Sequence, residues 1–392
     1  MNTPVIAGIG MVPFRSPRSS NATYDQLAAE AVQHALRDAG MVYDDVQQVY
    51  ASYVYGDSTS GQRALYPLGR TGVPIVNVNN NCSSGATALY LAWQAVAAGA
   101  VECVLVVGFE QMNPGAIDTV FGDRPSPLEP FNERVVERYP ESADLPPALR
   151  LFGAAAAEYQ ETYGASDELF AEVRVKASRH AIDNPNAIFR KELSVEDVLK
   201  SPRLFLNLTR LQACPPSTGA AAVLVCSAAW GARRQLSRPV TVLGMALGTD
   251  SDASFDGRMT ALVGAAMSAR VARSAYELAG RGPQDAQVVE LHDCFAPAEV
   301  IFGEAIGLCP EGESEQFVSD RQNTYGGRIV VNPSGGLLSK GHPLGATGVA
   351  QCVELVHQLR GTAGTRQVPG ASTAIQHNVG LGGAAVVGVY AA

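Results

Sequence analysis

The stretch Val76-Asn77-Val78-Asn79-Asn80-Asn81-Cys82-Ser83-Ser84-Gly85 decides the fold that this sequence predicts. An apolar strand, 74–79, runs into a tight polar turn, and a segment rich in Ala and Leu, 83–98, follows with apolar residues at helical spacing. A second buried strand, 103–108, comes next. Strand, turn, helix and strand in this order indicate layered α/β packing, with Cys82 at the turn.

The same alternation extends over the rest of the chain. The first part adds strands at 5–10 and 46–54 and a helix at 24–39 that Gly40 ends, and a second series begins near residue 240. Its predicted strands are 240–247, 287–291, 372–376 and 384–390, and its helices are 261–278 and 346–359. Two series of similar order suggest an internal duplication, with halves at 1–230 and 231–392. Between about 111 and 210 the pattern loosens, which we interpret as an inserted loop domain.

Composition excludes several classes of protein. The chain has 392 residues, 46% hydrophobic and 17% charged, which is typical of a compact globular protein and not of a disordered one. A formal net charge of -9 gives no electrostatic footprint for nucleic acid or an anionic membrane. The sequence has no uninterrupted run of eighteen apolar residues, and its first residues do not resemble a secretory signal. We therefore expect a soluble, intracellular enzyme.

Cys82 is a candidate nucleophile. The amides and dipole at the start of a helix stabilise a thiolate, so a cysteine at this turn suits nucleophilic chemistry. The alternative is a buried structural cysteine, and the setting alone leaves both interpretations open. The seven cysteines show no C-x-x-C spacing, which argues against a disulfide framework or a zinc site.

Three further segments carry histidines at strand ends or glycine-rich loops. They are Gly335-Gly336-Leu337-Leu338-Ser339-Lys340-Gly341-His342-Pro343-Leu344-Gly345-Ala346-Thr347-Gly348, His292-Asp293-Cys294-Phe295, and Gln376-His377-Asn378-Val379-Gly380-Leu381-Gly382-Gly383. Neither a Walker motif nor a G-x-G-x-x-G after a strand is present, so nucleoside triphosphate binding is not indicated. Cysteines and histidines in this setting suit thiol chemistry with general acid/base help.

Together these segments resemble the thiolase superfamily, and specifically its sterol carrier protein type. Three further stretches, 53–64, 307–312 and 323–327, are similar to that group as well. The resemblance implies a five-layered αβαβα fold made of two similar halves, with a loop domain inserted in the first half. It also implies a homodimer, and a partner subunit remains possible.

The resemblance implies a role for each candidate residue. Cys82 would accept the acyl group, and His342 would activate it and help to form an oxyanion hole. His292 stands where many thiolases have an asparagine that holds a water in that hole. The backbone amides of Cys82 and Gly380 would form a second oxyanion hole.

This sequence departs from many thiolases near its C-terminus. Where those enzymes have a C-x-G triplet that supplies an acid/base cysteine, this chain has His377-Asn378-Val379-Gly380. In the sterol carrier protein type, Cys294 takes that role, and His377 is its competitor here. Thr218 replaces a more usual aspartate, and the sequence assigns it no consequence.

The implied activity is cleavage of a 3-oxoacyl-CoA by CoA, giving acetyl-CoA or propionyl-CoA and a shortened acyl-CoA in fatty-acid or sterol side-chain degradation. CoA would be a co-substrate, with no permanent cofactor and no metal. Two alternatives remain: a thiolase-like retro-aldol lyase of steroid side-chain breakdown, and a non-catalytic acyl-CoA or lipid-binding protein. Because the chain stops at Ala392 without a fused lipid-transfer domain, and its end does not resemble a peroxisomal signal, we expect a stand-alone, cytoplasmic enzyme.

Overall fold

A computed structural model describes residues 2–115 and 121–392 of the chain. Its strands are β1 (Pro4–Met11), β2 (Gln48–Ser52), β3 (Ile75–Val78), β4 (Cys103–Gln111), β5 (Arg203–Phe205), β6 (Leu208–Thr209), β7 (Thr218–Ser227), β8 (Val240–Gly248), β9 (Val288–Glu290), β10 (Val330–Val331), β11 (Thr373–Gly380) and β12 (Ala384–Ala391). Its helices are α1 (Tyr24–Ala39), α2 (Ser60–Leu65), α3 (Ser84–Ala97), α4 (Glu129–Arg138), α5 (Pro147–Tyr163), α6 (Asp167–His180), α7 (Val195–Leu199), α8 (Ala228–Arg233), α9 (Met259–Leu262), α10 (Ala265–Ala279), α11 (Ala296–Ala305), α12 (Ser314–Ser319), α13 (Gly336–Ser339) and α14 (Leu344–Arg360).

The strand order repeats between the two halves of the chain. The first half has the spatial order β3-β2-β4-β7-β1, and the second half has β10-β9-β11-β12-β8. The sheet strands of each half can be numbered one to five along the chain, leaving out the hairpin β5-β6. Both halves then have the same spatial order, 3-2-4-5-1. The two half-sheets join where β1 and β8 pair antiparallel, Val5 opposite Thr241 and Ile6 opposite Val240. The duplication suggested by the sequence is therefore visible in the topology.

Both faces of each half-sheet are buried, which explains the continuous apolar runs in the sequence. In β4, Leu105 and Val107 pack with α1, whereas Val104 and Val106 pack with α3 and α14. Helices α3 and α14 contact strands of both half-sheets and also each other, so they form a central layer. Helix α1 covers the outer face of the first half-sheet and α10 that of the second. The five-layered αβαβα thiolase fold is confirmed.

The two central helices touch at their first turns through glycines. A Cβ atom on Gly348 would lie 2.2 Å from the backbone nitrogen of Ala86, and one on Gly85 would lie 2.8 Å from the carbonyl oxygen of Gly345. Side chains at these positions would therefore force the helices apart. The contact brings together the loops that precede α3 and α14, which carry Cys82 and His342.

The inserted segment lies between β4 and β7, which are neighbours in the sheet. It contains α4 to α7 and the hairpin β5-β6, and the predicted loop domain also includes residues 116–120, which are outside the described residues. Its helix α6 packs on α11, α12 and α13, and buried polar groups link it to α11 and α13. Arg174 donates a hydrogen bond from Nη1 to Ser339 Oγ (2.7 Å), and Lys176 forms a buried ion pair with Glu299.

Two predicted elements differ from the structure. The helix predicted at 261–278 is split into α9 and α10, because Gly264 has φ = 104° and interrupts the helical hydrogen bonds. The strand predicted at 372–376 continues to Gly380, so His377 and Asn378 lie inside β11 and not in a loop after it. The strand is longer than predicted because it pairs with β12 along its whole length, as far as Gly380 opposite Ala384.

Across the described residues, no helix has both the length and the apolarity needed to cross a membrane.

Candidate active site

Cys82 lies in a tight turn between β3 and α3. Asn81 adopts a left-handed conformation with φ = 50°, which sends the chain from the strand into the helix. Ser84 fixes the turn: its Oγ accepts a hydrogen bond from the Asn80 amide (2.8 Å) and donates one to the Asn81 carbonyl (2.6 Å). The thiol of Cys82 is buried, with 7% of the residue exposed. These bonds therefore fix the backbone that carries the sulfur.

Burial raises the pKa of the Cys82 thiol to about 12, and the nearby Glu110 carboxylate adds to the increase. Backbone amides of Cys82 and Leu381 act in the opposite direction, but desolvation is the largest effect. The sequence predicted a thiolate stabilised by the helix N-terminus, whereas in the resting structure the neutral thiol is favoured. Attack by this sulfur therefore requires a base to accept its proton.

His342 has the properties of that base. Its Nδ1 lies 2.7 Å from Thr347 Oγ1, and this hydroxyl donates its own hydrogen to the Pro343 carbonyl (3.0 Å). Nδ1 must therefore carry the proton, an assignment that follows from the hydrogen-bond network. Nε2 is buried and has no hydrogen-bond partner. Burial, and secondarily His292, holds the imidazole pKa well below its usual value, so His342 is neutral with a free lone pair on Nε2.

His292 is held in the opposite tautomer. The Asn378 amide donates from Nδ2 to His292 Nδ1 (3.2 Å) and to Gln351 Oε1 (3.2 Å). Gln351 is oriented in turn, because its Nε2 donates to the His377 carbonyl (3.1 Å). With Nδ1 as acceptor, the proton of neutral His292 is on Nε2. Burial lowers the pKa of His292 to about 3, which keeps the ring neutral.

Cys82, His292 and His342 converge on one point. The Cys82 sulfur and a ring nitrogen of each histidine lie within 4.8 Å of one another. The two imidazole rings are 5.2 Å apart between centroids and nearly perpendicular. The cluster thus combines a neutral thiol, a base and an N–H donor. Zinc also accepts thiol and imidazole ligands, so the absence of a metal site stays a prediction.

Gly380, at the end of β11, lies against the Cys82 turn. A Cβ atom at this position would be 2.2 Å from the Asn80 carbonyl oxygen and 3.1 Å from the Ser83 amide nitrogen. The next residue is tied to the same turn, because Asn81 Nδ2 donates to the Leu381 carbonyl (3.0 Å). Each segment therefore places a backbone amide beside the nucleophile, that of Cys82 from the turn and that of Leu381 from the end of β11.

Cys294 lies two residues before α11 and is buried. Burial raises the pKa of this thiol well above its usual value, and interactions with Cys214 and Cys82 raise it further. Its carbonyl accepts a hydrogen bond from the Cys214 amide (2.9 Å). The structure therefore brings Cys294 into the neighbourhood of Cys82.

His377 has a different environment from the other candidates. Its Nε2 lies 2.9 Å from Ser268 Oγ on α10, and its ring centroid is 5.0 Å from that of Phe302 on α11. Successive strand residues point to opposite faces, so Asn378 faces His292 and the central layer, whereas His377 faces the outer helices. Burial lowers the pKa of His377 to about 3.

Several residues of the site were not identified from the sequence. Ser217 Oγ accepts a hydrogen bond from the His342 amide (2.9 Å), and Thr347 and Asn378 set the two imidazole tautomers. Glu110 accepts amide hydrogen bonds from both the 54–55 segment and Gly345, and burial raises its pKa to about 7. The acidic Glu110 at the end of an apolar strand was the one available signal. The hydroxyl of Thr218 is buried without a partner, and no role follows from it.

Comparisons with known proteins agree with this architecture. A family model described as the thiolase N-terminal domain matches residues 4–229, and one described as thiolase C-terminal domain-like matches 248–390. A sterol carrier protein 2 from Rattus norvegicus is 49% identical over 389 residues, which are 98% of this chain and 71% of the relative. Benzoylsuccinyl-CoA thiolase subunit BbsB of Thauera aromatica is 34% identical over 384 residues, covering 96% of this chain and 94% of that protein.

Among solved structures, the Ltp2-ChsH2(DUF35) aldolase superimposes with a TM-score of 0.83 at 26% identity, over 100% of this chain and 98% of the matched one. The two family models leave only residues 230–247 and the termini unmatched. Fold, site geometry and sequence similarity lead to the same result, and the chain belongs to the thiolase family.

Proposed function

We propose that this protein is a 3-oxoacyl-CoA thiolase, which transfers an acyl group from its substrate to CoA through a thioester on Cys82. The observation that carries the proposal is the convergence of the Cys82 thiol with His292 and His342 inside a buried site. CoA is the co-substrate, and the products are acetyl-CoA or propionyl-CoA and a shortened acyl-CoA. We assign this reaction to fatty-acid or sterol side-chain degradation in the cytoplasm, and the name of the relative sterol carrier protein 2 supports a sterol-related substrate.

In the first step, Cys82 attacks the 3-keto carbon of the substrate. His342 Nε2 accepts the thiol proton as the C–S bond forms, since that nitrogen has a free lone pair. The amides of Cys82 and Gly380 stabilise the resulting oxyanion. The bond between the second and third carbons of the acyl chain then breaks, and its electrons move into an enolate.

The enolate needs hydrogen-bond donors at its oxygen and a proton at its carbon. After step one, protonated His342 and the Nε2–H of His292 can both donate to the oxygen, so the former base becomes part of the oxyanion hole. Cys294 donates the proton to the carbon and becomes a thiolate. Acetyl-CoA leaves, and the acyl group remains on Cys82.

The second half of the reaction restores the enzyme. The Cys294 thiolate accepts the proton of an incoming CoA thiol, and the CoA sulfur attacks the acyl group on Cys82. The tetrahedral intermediate expels the Cys82 sulfur, which takes its proton back from His342. No proton is gained or lost over the cycle.

A retro-aldol lyase is the second candidate, favoured by the structural similarity to the Ltp2-ChsH2(DUF35) aldolase. Such a reaction needs no cysteine nucleophile, whereas this chain holds Cys82 beside a base. A non-catalytic acyl-CoA-binding protein likewise needs neither the Cys82 nucleophile nor the base beside it. A covalent adduct on Cys82 therefore separates the thiolase from both alternatives.

We predict that acetyl-CoA acylates wild-type protein once, on Cys82. Intact-mass spectrometry after mixing should detect one added acyl group, and peptide mapping should locate it. The adduct should disappear in Cys82→Ala and persist in Cys309→Ala, a partly buried cysteine outside the cluster. Binding without an adduct, or an undiminished adduct on another residue in Cys82→Ala, would refute the proposal.

His342→Ala should lower the rate of 3-oxoacyl-CoA cleavage by at least about a thousandfold, because it removes both the base and an oxyanion contact. His357→Ala is the matched control, since His357 lies near the end of α14, the helix that follows the His342 loop, and its ring hydrogen-bonds to nearby Thr362. Its activity should equal that of wild type in a steady-state assay. A loss below about tenfold in His342→Ala would contradict both roles.

The second acid/base residue can be identified by separating the two half-reactions. We expect Cys294→Ala to form the acyl-enzyme from acetyl-CoA and yet to cleave 3-oxoacyl-CoA at least about a hundredfold more slowly, because only proton transfer is lost. His377→Gln, which can retain a hydrogen bond to Ser268, should remain active. The opposite pattern, a competent Cys294→Ala and an inactive but folded His377→Gln, would assign the role to His377.

We also propose a homodimer. Strand β3 is the outermost strand of the first half-sheet, and Val76 on it is 42% exposed. An exposed strand edge favours pairing with another chain. Light scattering should give about twice the chain mass of 41.1 kDa. Val76→Lys should weaken the dimer, whereas the control Val42→Lys, at an exposed site away from that edge, should not. A wild-type protein that is monomeric at micromolar concentration would exclude the proposal.

A further inference from the structure

Cys214 lies directly opposite Cys294. A β-bridge joins Ala213 and Phe295 in antiparallel orientation, and the Cys214 amide donates to the Cys294 carbonyl at 2.9 Å. Moving one residue along each segment from this bridge makes Cys214 and Cys294 a facing pair. Side chains of such a pair point to the same side, with Cβ atoms about 4.5–5.5 Å apart. Rotation about χ1 can therefore bring the two sulfurs into contact.

The surroundings of Cys294 do not stabilise its thiolate. In the proposed reaction it becomes a thiolate inside a buried site, and the titratable groups that act on it are Cys214, Cys82 and Asp293. Burial disfavours the Cys294 thiolate most, a negative charge on any of these three groups would disfavour it further, and the Phe295 amide favours it. The Asp293 carboxylate is itself buried and accepts a hydrogen bond from the Leu337 amide. A donor to the Cys294 sulfur would lower the cost of the thiolate.

Cys214 is the thiol that can supply this donor at the right moment. When Cys294 has given up its proton, the Cys82 sulfur carries the acyl group and has no S–H. Protonated His342 and His292 are then engaged with the enolate oxygen. Of Cys82, Cys214 and Cys294, Cys214 alone still carries an S–H group that can donate a hydrogen bond.

We propose that Cys214 is a positioning residue for the second acid/base, and that its S–H donates a hydrogen bond to the Cys294 sulfur and stabilises the thiolate. Cys214 keeps its proton throughout, so no bond is formed or broken on it. The inference rests on the proposed function, because it gives Cys294 the acid/base role. Cys214 is partly buried, in the same segment as Ser217, which holds the His342 backbone.

The first measurement addresses the thiol pair without using turnover. In a Cys82→Ser background, the rate of Cys294 alkylation by iodoacetamide is followed against pH, with peptide mass spectrometry to identify the site. Because burial already raises the pKa of Cys294 well above its usual value, adding Cys214→Ala should lower the alkylation rate about tenfold at each pH below that pKa, the effect of losing one hydrogen bond to a charged group. Adding Cys214→Ser should restore it, because a hydroxyl also donates. An unchanged profile in Cys214→Ala would overturn the proposal.

The second measurement places the effect in one half-reaction. Cys214→Ala should acylate Cys82 from acetyl-CoA within about twofold of wild type, yet cleave 3-oxoacyl-CoA about tenfold more slowly. Cys214→Ser should recover most of the rate, and Cys309→Ala, also partly buried, should match wild type. Equal cleavage rates in Cys214→Ala and Cys309→Ala, or an active Cys294→Ala with an inactive Cys214→Ala, would overturn the inference. A wild type that cleaves no 3-oxoacyl-CoA would instead remove the proposed function, while the alkylation profile still decides the thiol pair.

Discussion

The close contact between the first turns of α3 and α14 is the constraint on which the site depends. Gly85 and Gly348 allow the two backbones to approach to distances that any Cβ would prevent. Because one helix comes from each half of the chain, this contact brings the loop of Cys82 beside the loop of His342. Each half alone would hold only part of the cluster. The duplication therefore provides more than a larger core, since the site lies where the two copies meet.

The second feature of the site is that it holds its reacting groups uncharged. Burial raises the pKa of Cys82 and lowers the pKa values of His292 and His342, so thiol and imidazoles are neutral at rest. Charge appears only as the reaction proceeds, and Thr347 and Asn378 already fix the groups that meet it, the base His342 and the N–H donor His292. Preorganised dipoles in a water-poor site stabilise developing charge far more than they would in water. The same desolvation explains why a cysteine without a base beside it would be inert.

The sequence predicted the parts of this arrangement that depend on local pattern. Alternating strands and helices gave the layered architecture, and the position of Cys82 between strand and helix was correct. The sequence could not predict the tautomers and pKa shifts, because these depend on partners that are distant along the chain. Asn378, for example, contacts His292 across 86 residues. The predicted strand ended at Gln376, whereas pairing with β12 extends it through His377 and Asn378 to Gly380. The pairing of Cys214 with Cys294 likewise requires the tertiary structure.

The most direct test of this account is the pH dependence of Cys82 acylation by acetyl-CoA in a single turnover. If the thiol is neutral at rest and transfers its proton to neutral His342 during attack, both groups are in their reactive form from about pH 6 to pH 9, and the rate should be nearly constant over that range. If Cys82 instead reacts as a thiolate with a pKa near that of a free cysteine, the rate should rise about tenfold per pH unit below about pH 8.5. A flat profile in wild type supports proton transfer within the Cys82–His342 pair, and a rising one contradicts it.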